Sequence, residues 1–133
     1  MSVLLDTHVW VWWLMPRSPL SAAERAALDT GATRRELFIS AISPWEAQVL
    51  YKKGRLELPL PFPEWLRRAT DDRMLTVLPI DVEVILALDN LPKSFHGDPA
   101  DRLIVATART HALSLATRDI AIRKARAAKI WKP

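Results

Sequence analysis

Four acidic residues, far apart in the sequence, lie at the end of an apolar run or at the start of a predicted helix. They are Asp6, Glu46, Asp101 and Asp119, with Asp98 as a possible fifth. Crowded carboxylates repel one another unless a cation lies between them. Their hard oxygen atoms suit Mg²⁺ or Mn²⁺, ions that support phosphodiester chemistry. The pattern therefore predicts a metal-dependent nuclease site.

Each acid taken alone also has a structural explanation as a helix cap. Glu46 lies three residues after Ser43, so the pair is typical of a capping box. The other acids lie at predicted helix starts, where a negative charge stabilises by about 0.3–1 kcal/mol. Capping alone does not require that the acids share one edge of a sheet. The two interpretations are compatible, because a capping carboxylate can also face a metal.

Three hydroxyl side chains accompany the acids in the sequence. Thr7 follows Asp6, Ser43 precedes Glu46, and Thr117 precedes Asp119. Such groups either orient a carboxylate or a metal-bound water, or simply cap a helix. His96 also lies near the acids of the third segment, as a substrate contact or an ordinary loop histidine.

Short apolar runs alternate with helix-like segments along the chain. Strands are predicted at 3–5, 37–42, 74–80 and 113–117, with a short edge strand at 129–132. Helices are predicted at 7–15, 21–31, 43–53 with Gly54 just past the end, 63–71 and 81–90, and from 98 and 119 onward. Ser21 with Glu24 predicts a capping box, and Gly31 predicts the end of that helix. This alternation predicts an α/β fold with a parallel sheet, whose ligands bind beyond the carboxyl ends of the strands.

The composition suits one domain spanning residues 1–133 with a real hydrophobic core. Half of the residues are hydrophobic and cysteine is absent, which excludes disulfides and agrees with a reducing cytosol. The apolar N-terminal segment is interrupted by Asp6 and His8. Its longest apolar run, 9–15, is far shorter than the roughly 20 residues of a membrane span, so we expect no membrane segment.

The net charge is 19 − 15 = +4, which suggests either a polyanionic partner or a solvated basic surface. If the acids gather in one site, the remaining surface is more basic than the total indicates. The side chains then available to hold phosphates are Lys52, Lys53, Arg55, Arg67, Arg68, Arg102, Arg109, Arg118, Arg123, Lys124, Arg126 and Lys129.

Other features limit the alternatives. With only three glycines the chain has no glycine-rich phosphate loop, and acyl-transfer chemistry has no evident nucleophile. Trp10, Trp12 and Trp13 on the first helix cannot all face one core. Either two pack inside and one is half exposed, or an aromatic stripe forms a partner surface.

With these residues in view, the chain resembles PIN-domain ribonucleases, and among them the VapC-type toxins of bacterial toxin–antitoxin pairs. The resemblance covers nearly the whole chain. It rests on three segments: LLDTHVWVWW, ISAISPWEAQVLYKKGRL and HGDPADRLIVATARTHALSLATRD. Each segment alone is weak, but their order and spacing are specific.

The resemblance implies a role for the acids. Asp6, Glu46, Asp101 and Asp119 match the family's metal-site acids, and the first and third of these usually bind the ion most directly. The expected metal ligands are therefore Asp6, Asp101 and Asp119. Asp98 belongs to the DPADR motif of this subgroup. Asp101 immediately precedes the apolar helix, which is where the general family motif places its third acid.

The resemblance also implies the setting of the site. It implies a PIN-like three-layer α/β/α sandwich with a central, mostly parallel sheet, and a cytoplasmic homodimer. It further implies dependence on Mg²⁺ or Mn²⁺, RNA as the substrate, and inhibition by a cognate VapB-like antitoxin.

Two rival functions remain open from the residues. A non-catalytic α/β module would bind RNA or protein through basic helices and exposed tryptophans. A metal-dependent phosphatase or DNA nuclease could use the same acids. An RNA, DNA and phosphomonoester assay separates these possibilities.

Overall fold

A computed structural model describes residues 1–95 and 97–133; the prediction on His96 lies outside the described residues. Four parallel strands form one sheet in the order β3-β2-β1-β4. The strands are β1 (Val3–Leu5), β2 (Leu37–Ser40), β3 (Thr76–Leu78) and β4 (Ser114–Ala116). The predicted parallel α/β sheet is confirmed.

Seven helices surround the sheet in the described part of the chain. They are α1 (Thr7–Leu14), α2 (Ala22–Thr33), α3 (Ile42–Lys52), α4 (Phe62–Ala69), α5 (Val82–Asp89), α6 (Pro99–Thr110) and α7 (Ile120–Ala125). None of these helices combines the length and the apolar character that crossing a bilayer requires.

The sheet separates two apolar clusters, because successive side chains of a strand point to opposite faces. One face packs against α1, α2 and α4, and the other against α6 and α7. Strand residues of the first cluster are Val3, Leu5, Leu37, Ile39 and Ala116. Those of the second are Leu4, Phe38, Leu78 and Leu115. The protein is therefore a three-layer α/β/α sandwich, and the central strand β1 is apolar on both sides.

The tryptophans of α1 divide between core and surface. Trp10 is fully buried, packs against Trp65 at a ring distance of 5.4 Å, and donates its Nε1–H to the Ala69 carbonyl at 3.0 Å. Trp12 and Trp13 are only half-buried. One tryptophan thus anchors α1 to α4, while two remain partly accessible.

Helix α2 begins as predicted but ends later. The capping box of Ser21 and Glu24 is present in both directions. The expected stop at Gly31 is wrong, because the helix continues to Thr33. Gly31 is buried in the helix, where an added Cβ would lie 2.8 Å from the Leu37 side chain. Close packing between helix and sheet, rather than helix termination, accounts for this glycine.

The predicted start of α3 is also wrong. Strand β2 ends at Ser40 rather than at residue 42, and α3 begins at Ile42 with Ala41 as its N-cap. The Ser40 hydroxyl accepts a hydrogen bond from the Ile42 amide at 3.1 Å, and the N-cap Ala41 provides no side-chain capping bond. Ser43 is therefore inside the helix and not its cap. Gly54, with φ of +69°, follows the end of α3 as predicted.

Residues 129–132 do not form the predicted edge strand. Only an isolated parallel bridge joins Ile130 to Leu115, supported by backbone hydrogen bonds of 2.7 and 2.9 Å. Helix α4 is close to its prediction, at Phe62–Ala69 instead of 63–71.

The strand order creates one crevice that matters for function. From β1 the chain moves to β2 and β3 on one side, and β4 later pairs with the other side of β1. The order therefore reverses between β1 and β4. In open parallel sheets, ligands bind beyond the carboxyl ends of the strands at such a point.

Candidate acidic site

Asp6 lies directly at the switch between β1 and β4. It follows the last residue of β1, and its amide donates to the Ala116 carbonyl at 3.0 Å. Its Oδ1 accepts a hydrogen bond from the Val9 amide at 2.8 Å, so the predicted capping role is confirmed. Asp6 is only 6% exposed. The cap thus fixes a buried carboxylate at the carboxyl edge of the sheet.

Asp119 reaches the same edge from β4. It caps α7 by accepting a hydrogen bond from the Ile122 amide at 2.9 Å. Its own amide donates to the Thr117 hydroxyl at 3.0 Å, and the Arg123 guanidinium holds the Thr117 carbonyl at 2.7 and 3.0 Å. The loop between β4 and α7 is therefore fixed by several hydrogen bonds.

Asp98 and Asp101 come from the first turn of α6. Asp98 is the N-cap, and its Oδ1 accepts a hydrogen bond from the Asp101 amide at 2.8 Å. Asp98 is exposed, whereas Asp101 is half-buried. Gly97 lies close behind them, because an added Cβ would approach the Phe95 ring to 2.6 Å and the Asp101 Cβ to 3.3 Å. A larger residue at 97 would displace this turn.

Glu46 is held by hydroxyls rather than by a helix terminus. Since α3 begins at Ile42, the predicted capping box of Ser43 and Glu46 does not form. The Thr7 hydroxyl instead donates to Glu46 Oε1 and lies 2.9 Å from the Ser43 hydroxyl. Thr7 and Ser43 are both buried. This chain of hydroxyls links α1 to α3 and orients the Glu46 carboxylate.

All five predicted acids line one cavity of about 360 Å³. The remaining lining residues are Thr7, His8, Trp12 and Arg118. Ser43 lies behind Thr7, and Thr117 lies behind Asp6 and Asp119, so neither is a lining residue. The structure therefore brings together acids from four separate parts of the sequence.

The electrostatics of the cavity oppose full ionisation of these acids. Burial raises the pKa of Asp6, although hydrogen bonds from Thr117 and Val9 partly counteract it. Burial also raises the pKa of Asp101 to about 7, assisted by the negative charges of Asp98, Asp119 and Glu46. These raised pKa values show that the cavity disfavours the ionised carboxylates, as expected for acids that are buried close together without a cation.

Glu46 has a similar environment. Burial is the main reason that its pKa is raised, and the charge of Asp98 adds to the effect, while the Thr7 hydrogen bond opposes it. Among residues 1–95 and 97–133, no salt bridge neutralises any of the five acids. A bound cation would supply the missing charge.

The carboxylates share a cavity without forming a closed cage. In the described part of the chain, no three His, Cys, Asp or Glu side chains converge closely enough to hold an ion as they stand. The donors that face the cavity are carboxylate oxygens, which match a hard divalent cation in chemical type. Mg²⁺ characteristically retains several waters and needs only one or two carboxylates, so an open arrangement suits it.

Arg118 is the guanidinium that lines this cavity. It directly precedes Asp119, but it forms a salt bridge with Glu24, the capping-box residue of α2. The sequence places Arg118 among many basic residues without indicating this pairing. His8 and Trp12 are further lining residues that the sequence did not mark as part of the site, although they lie four residues apart on α1 and so share one face of that helix.

Comparisons with known proteins agree with this architecture. A family model described as PIN domain matches residues 3–128. Ribonuclease VapC22 from Mycobacterium tuberculosis (strain ATCC 25618 / H37Rv) is 38% identical over 126 residues, which cover 94% of this chain and 92% of that protein.

Solved structures share the fold at lower sequence identity. VapBC2 from Rickettsia felis, bound to a promoter DNA fragment, gives a TM-score of 0.74 at 17% identity and covers 98% of both chains. FitAcB from Neisseria gonorrhoeae gives a TM-score of 0.70 at 24% identity, covering 98% of this chain and 96% of that one. The family match and the 38% identity decide the classification. The chain belongs to the PIN-domain family and, within it, to the VapC-type proteins.

Proposed function

We propose that this protein is a metal-dependent endoribonuclease and the toxin of a VapBC-type toxin–antitoxin pair. The observation that carries the proposal is the single cavity lined by Asp6, Glu46, Asp98, Asp101 and Asp119. Its position at the carboxyl edge of a parallel sheet is typical of a ligand site. The relative at 38% identity is named a ribonuclease, which supports RNA as the substrate.

Asp6, Asp101 and Asp119 are the proposed metal ligands. They line the cavity from the ends of β1 and β4 and from the first turn of α6, so each would reach an ion directly or through a water that the ion retains. PIN-domain ribonucleases generally depend on a divalent metal, and the oxygen donors here favour Mg²⁺ or Mn²⁺. When bound, such an ion lowers the pKa of a water molecule and offsets charge on the phosphoryl oxygens.

Glu46 is proposed to orient the attacking water and to accept its proton. The Thr7 hydroxyl holds Oε1, which leaves Oε2 to face the water. A carboxylate with a raised pKa is a better proton acceptor near neutral pH than an ordinary one. Thr7 and Ser43 would position Glu46, and Thr117 would position Asp6.

Asp98 and Arg118 are proposed to act at the rim of the site. The negative charge of Asp98 raises the pKa of Asp101 and Glu46, so it strengthens the attraction for a cation. Arg118 lies beside Asp119, where its guanidinium could bind a phosphate of the RNA strand.

The proposed partners follow from the same family assignment. We propose that the protein is cytoplasmic and consists of one domain over residues 1–133. We further propose that it forms a homodimer and is inhibited by a cognate VapB-like antitoxin.

The exposed face of helix α5 supports the presence of a protein interface. Its residues Val82, Ile85 and Leu86 are apolar, exposed and at the spacing of one helix face. Light scattering should show a dimer for the wild type and a smaller species for Ile85→Asp.

A cleavage assay with matched variants tests the activity. Single-stranded RNA, DNA and a phosphomonoester would each be incubated with Mg²⁺, Mn²⁺ or EDTA. We expect RNA products only with a metal and with intact acids. Asp6→Asn is the inactive variant, and Asp81→Asn is its control, because Asp81 caps α5 in the same way at an exposed position.

The possible outcomes distinguish the rival functions. RNA binding that EDTA leaves unchanged, without products, would indicate a non-catalytic RNA-binding module. Preferential hydrolysis of the phosphomonoester or of DNA would assign the same acids to a phosphatase or a DNA nuclease.

A further inference from the structure

The acidic cavity continues into a second cavity that the proposed chemistry does not use. Both cavities are lined by Thr7, His8 and Trp12, so the two spaces meet along the first turns of α1. The second cavity, of about 320 Å³, lies between α1 and the end of α3; we call it the α1–α3 groove. Its other lining residues are Val11, Met15, Leu50, Arg55, Leu56 and Glu57.

One face of α1 forms a wall of the groove. His8, Val11, Trp12 and Met15 recur at the i, i+3, i+4 and i+7 spacing of a single helix face. The rings of His8 and Trp12 lie 5.7 Å apart at an angle of 51°. His8 is exposed and Trp12 is half-buried, whereas Trp10 on another face of the helix is fully buried. The His8 ring and the accessible part of the Trp12 ring therefore line the groove, while the rest of Trp12 packs against the core.

The groove is held in place from both sides. Arg25 of α2 donates to the carbonyls of Trp12 at 3.2 Å and Met15 at 2.7 Å, which secures the end of α1. On the opposite side, Gly54 ends α3 in a left-handed conformation, and the Arg55 amide returns to the Leu50 carbonyl at 2.9 Å. A wall that is already ordered loses little entropy on binding.

The chemistry of the groove fits a nucleotide. Aromatic side chains stack on nucleobases regardless of sequence, and arginine can bind a phosphate or stack on a base. Arg55 supplies the cation at the groove, while Glu57 adds one carboxylate beside it. Along α1, His8 and Met15 are separated by roughly 10 Å. This length is enough to hold the nucleotide next to the phosphate that is cleaved.

We propose that the α1–α3 groove binds the base of a nucleotide that flanks the cleaved phosphodiester, with Trp12 as its stacking surface and His8 beside it. The proposal rests on the proposed ribonuclease function and adds a determinant of substrate selection. Continuity with the acidic cavity favours an RNA strand as the occupant, because a strand held at the acids must leave along a connected surface. A protein segment is the competing occupant.

Paired changes in enzyme and substrate test this proposal. A single-stranded RNA whose cleavage site has been mapped with the wild type would be prepared intact and with an abasic residue at each flanking position. Trp12→Ala should lower kcat/KM on intact RNA by about 5- to 150-fold, the usual effect of removing a stacked aromatic residue. At one flanking position, an abasic residue should impair the wild type but add little further loss in Trp12→Ala.

Further variants separate stacking from structural support. Trp12→Phe retains an aromatic face and should keep most of the activity, whereas Trp12→Leu fills space without one and should behave like Trp12→Ala. Trp45→Ala is the matched control, because Trp45 is 58% exposed on α3 and lines neither cavity. Melting temperatures of all four variants would identify any general loss of folding.

The outcomes are distinct for the groove and for the activity. The groove proposal is overturned if Trp12→Leu matches Trp12→Phe, or if Trp12→Ala impairs intact and abasic RNAs equally at every flanking position. An unchanged kcat/KM in Trp12→Ala also overturns it and leaves a protein segment as the occupant. Failure of the wild type to cleave any RNA would instead refute the proposed function, and the groove assignment with it.

Discussion

The N-terminal ends of α1 and α5 use the same residue type for the same local purpose in different surroundings. Asp6 and Asp81 each accept a hydrogen bond from the amide three residues ahead, at 2.8 and 3.0 Å. Asp81 is exposed, whereas Asp6 is buried at the switch point of the sheet among other acids. Capping fixes the orientation of a carboxylate, but the surrounding topology determines whether that carboxylate joins a site.

The sharpest test of this contrast compares Asp6→Asn with Asp81→Asn. Asparagine caps a helix about as well as aspartate, so both variants should keep their helices. Removal of the charge at Asp6 should reduce RNA cleavage by at least about 100-fold, since even the loss of a group that supports a metal ligand costs about 10- to 100-fold. Asp81→Asn should cleave normally. Equal losses in the two variants would contradict the distinction.

The next largest effect on cleavage is expected when the hydroxyl chain between α1 and α3 is broken. Thr7→Val removes the donor to Glu46 and the partner of the buried Ser43 hydroxyl. We expect about a 10- to 100-fold fall in kcat and a loss of about 1–3 kcal/mol in the free energy of unfolding. Thr7→Ser retains the hydroxyl and should retain most activity. A Thr7→Val enzyme with normal kcat would show that Glu46 needs no such support.

The crowded acids should make the metal-free protein sensitive to pH. The pKa of Asp101 is about 7 in the folded state and 3.8 for an ordinary aspartate, so the folded state binds the proton more tightly. The free energy of unfolding should therefore fall as the pH rises from about 4 to 7, and the penalty should be complete above pH 7. Thermal melts across this range, with EDTA present, would measure the slope.

Variants identify the source of that slope. At pH 8, Asp101→Asn and Asp6→Asn should each raise the melting temperature of the metal-free protein by several degrees, because each removes repulsion among the acids. Asp81→Asn should change it little, since Asp81 lies outside the cavity. Lower melting temperatures in both cavity variants would contradict a repulsive cluster.

The smallest expected effect concerns the contact between Arg118 and Glu24. Glutamine at position 24 can still complete the capping box with Ser21, so Glu24→Gln weakens only the ion pair. We expect a change of a few-fold in KM, little change in kcat, and less than about 1 kcal/mol in stability. Glu64→Gln, which removes the exposed pair with Arg68, is the control and should leave KM unaltered. A large fall in kcat would assign Arg118 a direct part in the chemistry.

The sequence predicted the parts of the site that depend on chain periodicity. Apolar runs before Asp6 and Asp119 predicted parallel strands, and parallel strands place their carboxyl ends at one edge. Capping by Asp6, Asp98 and Asp119 was likewise predicted, because the preference of aspartate for helix starts is local.

Features that depend on tertiary packing were not predictable from local patterns. Ser43 resembled a helix cap, but α3 already begins at Ile42, and the Ser43 hydroxyl lies against the Thr7 hydroxyl instead. Gly31 resembled a helix stop, but its small size is needed against Leu37. Contacts of this kind join residues that are distant in the sequence, so only the assembled fold shows them.

Calorimetric titration of Mn²⁺ into the metal-free protein at pH 7 tests most directly whether the acids form a metal site. The wild type and Asp81→Asn should bind Mn²⁺ with equal affinity and release protons, because Asp101 is partly protonated near this pH. Asp6→Asn should bind at least about tenfold more weakly. Equal affinity in all three proteins, or no binding by the wild type, would contradict a metal site at the junction of β1 and β4.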